Sequence, residues 1–200
     1  MKFAVFVSGQ GSNLQAIINA VQKGKIKAQL ALVICDNPKA YALKRARQAN
    51  ITTVFINPQV FVDRKKYDGE MIKYLQREKI DFIVLAGFMR ILSEEFVRKY
   101  KGKVLNIHPS LLPAFRGAHA IADAFEYGVK VTGVTVHFVD VQVDHGPVIV
   151  QEMVPVKSND TLSALEKRIH QAEHKLYPKA IDLFARRRLK IRGRKVVMAG

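Results

Sequence analysis

Short apolar segments alternate with longer amphipathic segments through the first half of the chain, and this alternation constrains the fold more than any other feature. Five apolar segments predict β-strands at residues 2–7, 29–35, 53–56, 81–86 and 103–107. Helices are predicted between them, and Asp63 and Ser93 are typical N-cap residues for two of these helices. Repeated strand–helix–strand units predict a parallel sheet with right-handed crossovers, whose ligand sites lie at the carboxyl ends of the strands.

The second half of the chain has a different pattern. A helix is predicted at residues 120–127 and strands at 129–139 and 147–156, the first of which alternates apolar and polar side chains. Residues 161–187 predict a long amphipathic helix, which Pro178 should bend or interrupt. At 200 residues the chain is long enough for a full core, as one domain or two tightly joined halves.

The charge balance is strongly basic, because 33 Lys and Arg residues against 17 Asp and Glu residues give a net charge of +16. Such a charge attracts phosphates, nucleic acid or polyanionic cofactors, and it says little about the fold. The basic residues are spread over the predicted helix faces and are densest at residues 186–195. This distribution favours a solvated surface over a dedicated nucleic-acid site.

The cysteine count and the apolar runs bear on the cellular compartment. The single cysteine, Cys35, excludes an internal disulfide framework and suits a reducing cytosol. Residues 1–8 lead directly into a glycine turn and are too short for a signal peptide. No apolar run approaches the ~20 residues that span a bilayer. We therefore expect a cytoplasmic protein with no membrane partner.

Two polar side chains, Asn106 and His108, project from the same face of the fifth predicted strand, because side chains two residues apart share a face. They lie at its carboxyl end, and Pro109 keeps His108 in an extended geometry. An amide that can donate to a developing oxyanion, beside a group that titrates near neutrality, suits acyl or formyl transfer. The alternative is a strand end with one polar neighbour and no catalytic role.

A polar loop at residues 140–147 supplies a candidate partner for His108. The loop holds Asp140 and Asp144 and ends in a Gly-Pro turn, and its oxygen donors are too few for calcium. A carboxylate near His108 would favour the charged imidazolium form. Asp144, beside the turn, is our candidate for that role, the alternative being an ordinary turn residue.

A glycine-containing loop from Gly9 to Asn13 joins the first strand to the first helix. Glycine lets the backbone approach a ligand closely, and a helix N-terminus offers free N–H groups to a phosphate. A dinucleotide-binding fingerprint requires a third glycine where this chain has Leu14, so NAD binding is not expected. The loop predicts a site for one phosphate monoester at Gly11, Ser12 and Asn13. The alternative is a turn in which Ser12 or Asn13 only caps the helix.

The long helix contains the sequence His170-Gln-Ala-Glu173-His174, which matches the H-x-x-E-H signature of one class of zinc peptidases. Two histidines four residues apart can share a metal ion, but such enzymes need a further ligand well downstream. Asp182 is the only acidic residue after His174. We therefore predict no metal site, interpret both histidines as surface residues, and leave Glu173 free for another role.

Five segments resemble the phosphoribosylglycinamide formyltransferase family in their order and spacing, and the resemblance as a whole covers residues 2 to about 184. The segments are SGQGSNLQAI, LAGFMRILS, NIHPSLLPAFRGAHA, GVTVHFVDVQVDHGPVI and AEHKLYP. The resemblance implies an α/β fold, a Rossmann-like three-layer α/β/α sandwich on a mostly parallel mixed sheet of about seven strands. It also implies one formyltransferase domain over residues 1–200, with a phosphate-binding half at 1–100 and a folate and catalytic half at 101–200.

The same resemblance implies the reaction and its substrates. The family transfers a formyl group from 10-formyltetrahydrofolate, its co-substrate, to the amine of phosphoribosylglycinamide in purine biosynthesis, without a metal. Small molecules are therefore the expected partners and nucleic acid is not, while the sequence allows a homodimer.

The resemblance also assigns roles to individual residues. Asn106 and His108 would act on the tetrahedral adduct, with Asp144 positioning His108 and favouring its charged form. Glu173 would bind the ribose hydroxyls. The phosphate would be bound by Gly11, Ser12 and Asn13. The folate would be bound by Arg64, Met89, Arg90, Ile91, Leu92, Asn106 and Asp140.

Two other functions stay open at this point. Methionyl-tRNA formyltransferase shares the Asn-x-His, SLLP and Asp elements, and Arg116-Gly117-Ala118 also resembles that enzyme. It normally adds a carboxyl-terminal barrel for tRNA, for which this chain has no room, and its first loop lacks the Gly-Ser-Asn sequence. A non-catalytic nucleic-acid-binding module is supported by charge alone and predicts retention on DNA with a steep salt dependence.

Overall fold

The predicted alternation of strands and helices is present in the computed structural model, which describes residues 1–199. The strands are β1 (Lys2–Val7), β2 (Gln29–Cys35), β3 (Thr52–Phe55), β4 (Phe82–Leu85), β5 (Val104–His108), β6 (Val131–Phe138), β7 (Val148–Pro155), β8 (Leu189–Arg192) and β9 (Lys195–Met198). The helices are α1 (Ser12–Gln22), α2 (Tyr41–Gln48), α3 (Arg64–Arg77), α4 (Glu94–Lys99), α5 (Ala120–Tyr127) and α6 (Leu162–Ala185), with a 3₁₀ turn at Pro58–Val60.

All of these strands belong to one mixed sheet in the order β3-β2-β1-β4-β5-β6-β7-β9-β8. The first five strands pair in parallel, whereas β6 runs antiparallel to both β5 and β7. The order reverses beside β1, so the loops after β1 and β4 open at the edge where ligands bind in folds of this kind.

Side chains of the central strands alternate between two apolar cores. In β1, Phe3 and Val5 contact the core that α1, α2 and α6 cover, whereas Ala4 and Phe6 contact the core that α3 and α4 cover. Because both faces of the sheet are covered, the strands can be apolar without interruption, as in the FIVL sequence of β4. The predicted three-layer α/β/α sandwich is confirmed.

The N-cap residues of α3 and α4 are the ones that the sequence predicts. The Asp63 carboxylate accepts a hydrogen bond from the Lys66 N–H at 2.8 Å, and the Ser93 hydroxyl accepts one from the Phe96 N–H at 3.2 Å. Both predicted N-caps are therefore confirmed, and each satisfies a backbone donor that the first turn of a helix leaves free.

The sheet has nine strands rather than about seven, because residues after α6 form a hairpin of β8 and β9. Its two-residue turn is Gly193-Arg194, and Gly193 has the positive φ of 58° that such turns require. The sequence analysis treated residues 186–195 only as a basic cluster. The alternation of Lys190 and Arg192 with apolar neighbours, around a Gly-x turn, is the signal that it missed.

Of the two effects predicted for Pro178, a bend or an interruption, the interruption does not occur, because α6 continues through this residue to Ala185. A proline removes one backbone donor from a helix, and packing on both sides holds α6 together despite that loss. Tyr177 and Ile181 are fully buried. The Tyr177 hydroxyl oxygen lies 2.7 Å from the Leu85 carbonyl and 3.0 Å from the Leu105 carbonyl, and its one proton can donate to either, which ties α6 to strands β4 and β5.

Within residues 1–199 the helices are either too short or too polar to cross a membrane.

Candidate active site

Asn106 and His108 lie near the carboxyl end of β5, as predicted, and His108 is buried, with 4% of its surface exposed. Strand β6 pairs with β5 in an antiparallel register that places His137 directly opposite Asn106. The Asn106 Nδ2 atom lies 3.1 Å from His137 Nε2. The strand face therefore carries two histidines and an amide, rather than the single histidine that the sequence analysis considered.

The neighbours of His137 determine its protonation. Its Nδ1 lies 2.8 Å from the Phe138 carbonyl, which can only accept, so Nδ1 carries the proton. Burial lowers the pKa of His137, so the ring is neutral and its Nε2 accepts from Asn106. His137 thus orients the Asn106 amide. A polar residue within the apolar strand β6 was the available signal for this residue.

His108 has an acceptor at each ring nitrogen. Its Nδ1 lies 3.3 Å from Asp144 Oδ2, and its Nε2 lies 2.7 Å from the Phe115 carbonyl oxygen. Because a carbonyl oxygen only accepts, the Nε2 atom carries a proton, and the Asp144 carboxylate lies within ion-pair distance of Nδ1. The structure thus brings Asp144 to His108, as predicted, and adds the Phe115 carbonyl, which the sequence did not indicate.

Asp144 lies in the loop between β6 and β7 and bridges several parts of the site. Besides His108, its carboxylate accepts from the Gly117 N–H at 3.0 Å and lies 3.5 Å from Asn106 Nδ2. The backbone at Asp144 has a positive φ of 49°. A side chain at Gly146 would place its Cβ 1.8 Å from the Phe138 carbonyl oxygen, so the close approach at the base of this loop requires glycine.

Asp140 occupies the same loop but contacts other groups. Its Oδ2 lies 2.8 Å from His145 Nδ1, and its Oδ1 accepts from the Gln142 N–H at 3.0 Å. The Arg194 guanidinium contacts His145 from the β8–β9 hairpin. The two acidic residues of the loop therefore have different contacts. Asp144 contacts His108, whereas Asp140 stabilises the loop itself.

The loop after β1 leaves the first N–H groups of α1 without a side-chain cap. Gly11 is the N-cap residue with a φ of 69°, and neither Ser12 nor Asn13 accepts a capping bond. The Asn13 amide instead donates to Glu173 Oε2 at 2.9 Å, and its buried Oδ1 has no partner within residues 1–199. The interpretation of this loop as a self-capped turn is therefore wrong, and free donors remain for an anion.

Glu173 is buried on α6, with 4% of its surface exposed, and accepts from both Asn13 and His170. Ser12, His170 and His174 line one surface groove. His170 lies on the surface, as interpreted, but His174 is half-buried, with its Nε2 unpartnered among the residues described. Over residues 1–199, no three His, Cys, Asp or Glu side chains are grouped to hold a metal ion.

The hydrogen bond with Glu173 raises the pKa of His170. A group with a raised folded pKa stabilises the protein fully below its unfolded pKa of about 6.5, and this contribution is lost as pH rises through the folded value. We therefore expect wild type to exceed His170→Gln in melting temperature by more at about pH 6 than at about pH 8.5. Thermal denaturation at both pH values tests this, and an equal difference at both would contradict it.

The residues predicted to bind folate lie on two neighbouring segments. Arg64 begins α3, while Met89, Arg90 and Ile91 lie exposed between β4 and α4. The Arg90 guanidinium lies 5.2 Å from the centre of the Tyr67 ring. Leu92 is buried in the core beneath α3 and α4, so its side chain supports this segment from below.

The comparisons with known proteins agree with this architecture. A family model described as formyl transferase matches residues 1–181. The chain therefore belongs to the formyl transferase family.

Two curated enzymes and one solved structure are similar to this chain over most of its length. The chain is 42% identical to phosphoribosylglycinamide formyltransferase of Bacillus subtilis, over 90% of this chain and 92% of the relative. It is 46% identical to the Escherichia coli enzyme of the same name, over 96% and 90%. The crystal structure of glycinamide ribonucleotide transformylase 1 from Symbiobacterium toebii superposes with a TM-score of 0.97 at 44% identity, covering 100% of this chain and 94% of that one. The resemblance to phosphoribosylglycinamide formyltransferases is confirmed.

Proposed function

We propose that the protein transfers the formyl group of 10-formyltetrahydrofolate to the amine of phosphoribosylglycinamide, a step of purine biosynthesis, in the cytoplasm. The single observation that carries this proposal is the contact of Asp144 with His108, beside Asn106. This arrangement joins an amide donor and an imidazole with a neighbouring carboxylate at one strand end. The names of the relatives support the choice of acceptor.

In the proposed reaction, the substrate amine attacks the formyl carbon and forms a new C–N bond. The resulting tetrahedral oxyanion accepts hydrogen bonds from the Asn106 amide and the His108 imidazolium. Collapse breaks the bond from carbon to the folate nitrogen. The amine loses one proton and the folate nitrogen gains one, and His108 can move that proton with solvent. A reacting group must replace the Phe115 carbonyl at His108 Nε2 for this transfer, because that nitrogen is already engaged.

The substrate-binding assignments fit the free groups of the site. The uncapped N–H groups at Gly11, Ser12 and Asn13 suit a phosphate, as the positive end of a helix dipole does. The Glu173 carboxylate and the unpartnered Asn13 Oδ1 can accept from ribose hydroxyls. The folate is then assigned to Arg64, the segment from Met89 to Leu92, Asn106 and Asp140.

We propose that residues 1–200 form one functional domain with this division of labour. The phosphate loop lies in residues 1–100 and the catalytic residues in 101–200. Glu173 is the exception, because it belongs to the second half and completes the phosphate and ribose end of the site through Asn13.

The direct test is to mix the protein with 10-formyltetrahydrofolate and phosphoribosylglycinamide and follow deformylation of the folate. We expect stoichiometric formation of tetrahydrofolate and formylated ribotide, with activity unchanged by a metal chelator. Methionyl-tRNA is the matched alternative acceptor, since the charge of +16 and the sequence Arg116-Gly117-Ala118 favour it. Turnover with methionyl-tRNA but not with the ribotide would contradict the proposal.

A further inference from the structure

A buried carboxylate, Asp68, lies on α3 with 2% of its surface exposed and takes no part in the reaction proposed above. Its Oδ2 accepts from the Ser93 backbone N–H at 2.6 Å. The Ser93 hydroxyl also hydrogen-bonds to this carboxylate. Within residues 1–199, Asp68 forms no salt bridge with any Lys, Arg or His side chain.

Burying a carboxylate without an ion-pair partner is unfavourable, and burial accordingly raises the pKa of Asp68. The hydrogen bonds from Ser93 offset only part of this cost. An apolar residue at this place in α3 would suit the hydrophobic core that α3 faces, but it would leave the buried Ser93 N–H without its acceptor. The position of Asp68 therefore calls for a role besides packing.

Asp68 connects the two elements that are assigned to the folate, which are α3 with Arg64 and the segment Met89–Leu92. Asp68 lies one helical turn after Arg64 on α3, and Ser93 directly follows the segment Met89–Leu92. Both Arg64 and Arg90 are close enough to act electrostatically on the Asp68 carboxylate. One buried side chain thus fixes the distance between the arginine on the helix and the exposed segment that faces it.

The other end of the segment is held in a similar way. The Met89 N–H donates to the Ser8 hydroxyl at 2.9 Å, and the Ser8 N–H donates to the Gly87 carbonyl at 3.1 Å. Between these anchors, Met89 and Ile91 expose 73% and 56% of their surfaces. Apolar side chains that stay exposed on a backbone fixed at both ends are suited to a ligand with a flat apolar ring system.

We propose that Asp68 is a positioning residue for the folate co-substrate: it holds the segment Met89–Leu92 at the correct distance from Arg64 through its hydrogen bond to the Ser93 N–H. This proposal rests on the proposed function, because that function assigns the two elements to the folate. The side chain at position 68 must supply an acceptor oxygen for the Ser93 N–H. Asn supplies one, while Ala does not.

The test compares Asp68→Ala with Asp68→Asn in steady-state assays with both substrates. We expect Asp68→Ala to raise KM for 10-formyltetrahydrofolate about 10-fold, as the loss of a buried hydrogen bond to a charged group can do, with KM for the ribotide within about twofold. Asp68→Asn should restore KM for the folate to within about threefold of wild type. Asp81→Ala is the matched control, because Asp81 also accepts a backbone N–H, from Lys2, but at the start of β1.

A second variant removes the donor instead of the acceptor and keeps the test usable if Asp68→Ala does not fold. Ser93 has φ −67° and ψ 153°, which proline adopts, so Ser93→Pro deletes the N–H while leaving Asp68 in place, and it also deletes the hydroxyl that caps α4. Ser93→Ala, which loses only the hydroxyl, is its control and should keep KM for the folate near that of wild type. Ser93→Pro should raise KM for the folate as Asp68→Ala does.

Several results would overturn the proposal. One is an unchanged KM for the folate in both Asp68→Ala and Ser93→Pro. Another is an equal increase in KM for the folate and KM for the ribotide in Asp68→Ala. The third is an Asp68→Asn variant whose KM for the folate is raised as much as that of Asp68→Ala. If wild type does not formylate the ribotide, the proposed function fails. Calorimetric titration of the same variants with tetrahydrofolate then decides the Asp68 proposal separately, with weaker binding by Asp68→Ala than by Asp68→Asn as the supporting result.

Discussion

Replacing His108 with alanine is expected to lower kcat by about 10²–10⁴-fold, the usual contribution of a positioned acid–base group, while both KM values change little. His108 is buried, with Asp144 3.3 Å from its Nδ1, and its Nε2 can donate to the oxyanion once the substrate replaces the Phe115 carbonyl there. A contact that strengthens in the transition state affects kcat more than substrate binding. Steady-state kinetics with each substrate varied in turn measures the two effects.

Variants of two neighbours of His108, Asp144 and Asn106, test the same mechanism. Asp144→Asn keeps the shape of the side chain but removes the charge 3.3 Å from His108 Nδ1, so kcat should fall while both substrates still bind. Asn106→Ala should lose a comparable factor to His108→Ala, and the double variant should be less impaired than the product of the two.

His119 provides a matched histidine outside this constellation, because it is exposed and precedes α5. His119→Ala should keep wild-type kcat. A His108→Ala enzyme within tenfold of wild type would remove His108 from the mechanism. Unchanged turnover in Asp144→Asn would remove Asp144 and point to Asp140, the other carboxylate of the loop.

Replacing Gly11 with alanine should raise KM for the ribotide by about 10- to 100-fold and leave KM for the folate nearly unchanged. Gly11 has a positive φ of 69°, and a Cβ there would lie 2.7 Å from the Ala42 Cβ and 2.9 Å from the Ala42 Cα. The loop or α2 must therefore shift, and the N–H groups that face the phosphate shift with it.

Gly9→Ala is the matched control for this loop, because a Cβ at Gly9 meets nothing within 4 Å and its φ is not in the left-handed region. It should leave both KM values at wild type. Thermal denaturation should show a lower melting temperature for Gly11→Ala than for Gly9→Ala. Equal changes in the two KM values of Gly11→Ala would mean that the loop supports the whole fold rather than the phosphate site.

Much of the architecture could be predicted because it depends on local sequence. The strand positions follow from apolar runs, and the Asp63 and Ser93 caps follow from side chains that reach a backbone N–H three residues away. The shared orientation of Asn106 and His108 follows from the two-residue period of a strand. The position of the loop between β1 and α1 follows from Gly9 and Gly11 before a helix. None of these inferences needs to know what packs against the segment.

Other features could not be predicted, because their determinants are distant in sequence. Pro178 suggested an interruption of α6, but buried contacts of Tyr177 with β4 and β5 outweigh one lost backbone hydrogen bond. The β8–β9 hairpin was missed because its strands have only four residues each and their short alternation lies within a basic cluster. Asp68 gave no signal, because a carboxylate on a charged helix is usually solvated.

The sequence by itself determined the α/β class, the positions of the first seven strands and the residues Asn106, His108 and Asp144 as candidates, since these depend on periodicity and on neighbours a few residues away. Only the tertiary structure decided which of these residues meet. The register of β5 against β6 places His137 opposite Asn106. The tight base of the loop at Gly146 and the positive φ of Asp144 accompany the contact of that carboxylate with His108, 36 residues before it in the chain. Strand register and loop path are set by the combined packing of many distant residues, and no single segment encodes them.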